Sequence, residues 1–165
     1  MGHKEERLFV ALAFAAEQRM RHFNSQELAN TVWAFATVCH KNKRLFSTLA
    51  AAAEQRMRDF NSQELANTAW AFATVGHKKE RLFTALAVAA ERRLRDFKSQ
   101  DLANTAWAFA TVGHKEERLF TALAVAAGRR MKDFNSQGLA NTAWAFATVG
   151  RKEEQLFTAM AFAAE

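Results

Sequence analysis

The run Leu-Ala-Asn-Thr begins at Leu28, Leu65, Leu102 and Leu139, so this chain repeats itself every 37 residues. The tryptophans Trp33, Trp70, Trp107 and Trp144 keep the same interval, and residues 76–112 match residues 113–149 at 31 of 37 positions. A period of this length marks units that cannot bury their own apolar faces and must stack on one another. The 165 residues therefore read as a single array: units 2–38, 39–75, 76–112 and 113–149, with a partial unit at 150–165.

Within a unit, Leu8, Phe9, Leu12, Ala13, Ala16, Met20 and Phe23 fall on one arc at helical spacing, which predicts an amphipathic helix A over Glu5–Arg21. Asn24 then reads as an N-cap with Glu27 at N3, and Phe23 with Leu28 as a hydrophobic staple. Helix B runs from there to about Val38 and is apolar almost all round, as expected of a helix inside a stack. Lys98 interrupts the cap in the third unit, where Ser99 is expected to substitute. Gly76, Gly113 and Gly150 stand where helix B ends left-handed, a place taken by Cys39 in the first unit. The absence of proline suits this reading. The fold class is all-α, an α-solenoid of tandem 37-residue helical hairpins with nine helices: four full units plus one extra helix.

Composition narrows the function. A single cysteine, Cys39, excludes an internal disulfide framework and a thiolate metal site. Charges interrupt every apolar run, so no membrane insertion is expected. The start of the chain carries no recognisable targeting address, and localisation is not legible. The formal charge of +6 suits a polyanionic partner. By unit it is 0, +2, +3, +2 and −1 for the partial unit, so the basicity is central. The first unit begins in register without a polar cap and Glu165 stops inside a helix, which raises the expectation of a longer array or of a protein partner covering uncapped ends.

Every candidate acid, base or nucleophile recurs once per unit, so no catalytic constellation stands apart and an enzyme is not expected. His3, His40, His77 and His114 mark the loop before helix A; a metal ladder is conceivable there, but surface loop histidines are the simpler reading, and neither metal nor cofactor is expected. Asn30, Asn67, Asn104 and Asn141 sit in mid-helix, either as a structural ladder between hairpins or as amides gripping a ligand backbone. The four tryptophans suggest stacking platforms, although an apolar helix places them in the core more readily.

Arg19, Arg56, Arg93 and Arg130 lie at the edge of the apolar arc of helix A, where snorkelling or pairing with a carboxylate is expected. The opposite arc repeats Arg21, Arg58, Arg95 and Lys132, joined by Arg92 and Arg129, with Arg44, Arg81 and Arg118 one face-length earlier, and Gln55 and Lys98 add to the candidates where units differ around the turn from A to B. Stacking aligns these into basic rows that suit a nucleic-acid backbone. Glu17, Glu54 and Glu91 lie among them, so a solvated face is the simpler alternative. Units this alike predict weak discrimination between bases.

The segment from Phe60 to Gly76 contains Phe-x-x-Gln-x-Leu-Ala-Asn-Thr-x-Trp-Ala-x-Ala and resembles the signature helix of octotricopeptide repeats; the period is similar to that of heptatricopeptide repeats. The resemblance covers every full unit. It implies an α-solenoid binding organellar RNA, in chloroplast or mitochondrion, at about one base per unit. The proline-rich element of many octotricopeptide units is missing, and cleavage is not implied. The leading expectation is single-stranded RNA held along the helix A rows; the alternative is a protein-interaction scaffold without nucleic-acid contact.

Overall fold

The computed structural model describes residues 3–39 and 42–163. Among them are nine α-helices: α1 (His3–Arg19), α2 (Ser25–Thr37), α3 (Lys43–Arg56), α4 (Ser62–Thr74), α5 (Glu80–Arg93), α6 (Ser99–Val112), α7 (Glu117–Arg129), α8 (Ser136–Thr148) and α9 (Glu154–Ala163). Odd-numbered helices are the A helices, even-numbered the B helices. Each full A helix closes in a 3-10 turn, Met20–His22, Met57–Asp59, Leu94–Asp96 or Met131–Asp133. That tightening moves the α-helical end of α1 from the expected Arg21 to Arg19, because i→i+3 bonds such as Phe23 N–H to Met20 C=O (3.2 Å) satisfy the last carbonyls.

The caps explain where the B helices begin. Asn24 accepts from the Glu27 N–H at 2.8 Å while Glu27 accepts from the Asn24 N–H at 2.8 Å, and Asn61 and Glu64 repeat the box. In the third unit only half of it survives: Asp101 accepts from the Lys98 N–H at 3.0 Å. Ser99 does not substitute for the missing cap; its hydroxyl donates instead to the Asp133 carbonyl of the next unit at 2.8 Å.

The core repeats with the sequence. Leu45, Leu82 and Leu119 are 0% exposed, and Phe46, Phe83 and Phe120 meet Phe72, Phe109 and Phe146 edge to face at 5.2–5.6 Å. The B helices approach one another closely through small side chains, among them the buried Ala66, Ala69, Ala103 and Ala106, whereas successive A helices, bearing larger side chains, touch at fewer points. A stack with one layer more tightly spaced bends toward that layer, so the B helices line the inside of the curve.

Units are also tied across their boundaries by the arginines at the edge of the A arc. Arg56, Arg93 and Arg130 each donate from Nη2 to a backbone carbonyl 35 residues earlier, those of Arg21 (2.5 Å), Arg58 (2.8 Å) and Arg95 (2.6 Å). The acceptor is a carbonyl in the preceding 3-10 turn, not the carboxylate that is one of the two expectations, the other being snorkelling. No described helix is long and apolar enough to cross a membrane.

Candidate nucleic-acid interface

The helix A cations divide into two groups by what faces them. Arg44 pairs with Glu17 at 2.9 Å, Arg81 with Glu54 at 3.5 Å and Arg118 with Glu91 at 3.7 Å. Each pair crosses a unit boundary, because stacking brings the first turn of one A helix beside the last turn of the one before. The three guanidiniums are highly exposed, so the pairs add little stability, but this row is charge-compensated rather than free.

Arg58, Arg95 and Lys132, in the 3-10 turns, and Arg92 and Arg129, in the last turns of α5 and α7, are exposed and have no acidic partner among the described residues. Arg21 holds the equivalent place in the first unit, its Nε donating to His22 Nε2 at 3.0 Å. Two grooves between A helices gather most of the candidates. One of about 1180 Å3, between α3 and α5, is lined by Gln55, Arg58, Arg81 and Arg92 with Ala85, Val88 and Ala89. The next, of about 990 Å3 between α5 and α7, is lined by Arg92, Arg95, Arg118 and Arg129 with Ala122, Val125 and Ala126. Glu54, Glu80 and Asp96 enter the first groove and Glu91 and Glu117 the second, so neither is uniformly positive. Arg21, Arg44, Lys98 and Lys132 lie outside both.

The B layer divides the tryptophans between the two sequence readings. Trp33 and Trp144 are each 46% exposed, and Trp70 and Trp107 are half-buried, resting on the core with one side open. Asn30 is exposed and Asn67, Asn104 and Asn141 are partly so; none of the four amides makes a protein hydrogen bond among the described residues, so they do not tie hairpins together by such bonds. Gln63, Asn67, Trp70 and Thr74, spaced four, three and four residues apart, share one open stripe of α4. That spacing was the sequence signal for the exposed indoles, hidden by the alanines that make helix B look apolar on every side.

Two of the loop histidines, His77 and His114, pack as part of the structure, and the side chain of His3 lies outside what is described. Gly76 and His77 close α4 with N–H bonds to Ala73 (3.0 Å) and Phe72 (3.0 Å), a Schellman arrangement whose accompanying contact is the His77 ring on Phe72 at 5.7 Å, with Phe46 at 6.1 Å. His114 repeats this against Phe83 and Phe109. Burial, with the Lys79 charge second, pushes the His77 imidazole below its ordinary pKa. His40 lies outside the described residues. Among those described, no three potential metal ligands gather. Asp101, buried at the start of α6, has its carboxyl raised by desolvation against the lowering effects of the Lys98 N–H and the Lys98 charge.

A family model described as RNA-editing substrate-binding complex 6 protein matches residues 1–163. No curated protein matches the chain.

Proposed function

The chain belongs to the RNA-editing substrate-binding complex 6 protein family, and from that premise we propose that it is a non-catalytic, RNA-contacting subunit of such an assembly. It holds single-stranded RNA through phosphate contacts along the uncompensated cations of the A layer. The observation that carries this reading is the set Arg58, Arg92, Arg95, Arg129 and Lys132, which are exposed and make no ion pair among the described residues. The octotricopeptide resemblance adds the expectation of about one base per unit, so affinity rests on charge more than on sequence.

Five phosphate contacts on a single strand give a log–log salt slope of about −3.5, so affinity falls about 100-fold from roughly 50 to 200 mM salt. Mobility shifts with a short unstructured RNA test this, and Arg58→Glu with Arg95→Glu is expected to flatten the slope to about −2 and weaken the complex. The acids and apolar linings of the two grooves favour a second reading, a scaffold seating helices of a protein partner. A partner that survives RNase, combined with RNA affinity unchanged by the two reversals, would decide for that scaffold.

A further inference from the structure

Packing uses only one side of the B-layer stripe: Trp70 and Trp107 rest on the core with the other side open, and Trp33 and Trp144, in the first and last B helices, are 46% exposed. Contacts between B helices run through alanines, and those with the A layer through Phe72, Phe109 and Phe146, while each unit still presents an indole and, one turn earlier, an amide. The stripe is also free of carboxylates beyond its first turn. The acids of these helices, Glu27, Glu64 and Asp101, are spent at the helix starts, accepting from the N–H groups of Asn24, Asn61 and Lys98. What remains on the inside of the curve is neutral and polar, with flat aromatic faces repeating at the helix-to-helix step of about 8–10 Å.

Such a surface has the two elements a single-stranded base needs. An indole offers a stacking face that accepts any base, and an asparagine amide offers a donor and an acceptor side by side, the pair that matches a base edge. Concave faces of helical repeats are where extended ligands lie. We propose that Trp33, Trp70, Trp107 and Trp144, with Asn30, Asn67, Asn104 and Asn141, form a row of base seats, one per unit, for single-stranded RNA. This rests on the proposed RNA role but not on the cation rows, which belong to the other layer. Because every unit carries the same indole and amide, the row reads base type without reading base order.

The chain has four tryptophans, all in this row, and no tyrosine, so indole emission reports on the row alone. Titration with poly(A), poly(U) and poly(C) is expected to quench that emission, and to do so also in Arg58→Glu with Arg95→Glu at low salt. Trp70→Ala and Trp107→Ala are each expected to lower RNA affinity about tenfold. Trp70→Phe is expected to retain most of the affinity, and thermal melts of Trp70→Ala and Trp107→Ala that stay close to that of the parent protein separate stacking from any effect on folding. Asn67→Ala with Asn104→Ala is expected to level the preference among the three homopolymers. A salt-sensitive RNA complex with unquenched emission and unchanged affinity in both tryptophan variants would overturn this inference and leave the cation rows standing. So would a protein partner lost in Trp70→Ala and Trp107→Ala at constant RNA affinity.

Discussion

The turn from helix B to helix A offers a direct measurement of what the backbone alone contributes to stacking. Gly113 closes α6 at φ 75°, and Cys39 holds the equivalent place after α2 at φ 55°. A Cβ placed on Gly113 would meet no atom within 4 Å, so Gly113→Ala adds no clash with its surroundings. Its cost is the left-handed backbone itself, about 1–2 kcal/mol for a residue with a Cβ. Against this stands about 0.4–1 kcal/mol gained because alanine restricts the unfolded chain. The net is a loss of about 1 kcal/mol. Cys39→Gly reverses both effects and is expected to gain about the same. Urea unfolding followed by circular dichroism reads each as a shifted midpoint at constant slope, or about 2–4 °C in Tm. Gly113→Asn should cost less than Gly113→Ala, since asparagine visits this region more readily. A neutral Gly113→Ala, or a Cys39→Gly that destabilises, would refute the left-handed closure on which the reasoning depends.

Two further outcomes follow from the unit boundaries. Arg93→Met removes the charged donor to the Arg58 carbonyl and is expected to cost about 1–1.5 kcal/mol in urea unfolding, with Arg93→Lys recovering part of it through a single donor. His77, with its folded pKa lowered and its Nε2 buried without a hydrogen-bond partner, favours the unfolded chain once protonated. Stability is therefore lost as pH falls below the ordinary histidine value toward the lowered one, and His77→Phe, which keeps a ring against Phe46 and Phe72, should reduce that loss in thermal melts between neutral pH and about pH 5.

How much of this was legible in the sequence depends on how local the cause is. The start of α2 at Ser25 and its end at Thr37 follow from Asn24, Glu27 and the approach to Cys39, all within a turn of the boundary. Lys98 failed the same test differently: Ser99 is one residue too late to accept from N3, and the next unit supplies a carbonyl that claims its hydroxyl. The pairing of Arg44 with Glu17 was harder to see, because two residues 27 apart meet only once the step between stacked helices is known. Both recur at the same period, yet helical angles within one A helix carry no information about that step. The open sides of the tryptophans were hidden for a third reason. Alanine counts as apolar in composition, but on α4 it marks close helix contact, and the stripe opposite those contacts is where Gln63, Asn67 and Trp70 emerge.

The two layers divide the work of recognition in a way the repeat itself dictates. Positions that differ between units, such as Gln55 against Arg92 or Asn61 against Lys98, cluster near the turn from A to B, whereas the asparagine and tryptophan of the B helices are the same in all four full units. A strand on the B face would gain affinity with each unit it covers, because linked weak contacts act at high effective concentration. It would gain no register, since sliding by one unit exchanges identical neighbours. Register would have to come from the positions that differ between units, where the whole-unit charges of 0, +2, +3 and +2 place the strongest attraction on the third unit. Lys98→Asn, which brings the third unit level with its neighbours at +2, should therefore leave affinity for a long homopolymer nearly unchanged while spreading the crosslinks of a short oligonucleotide evenly over the second to fourth units; crosslinks that stay concentrated on the third unit would show that something other than charge sets the register.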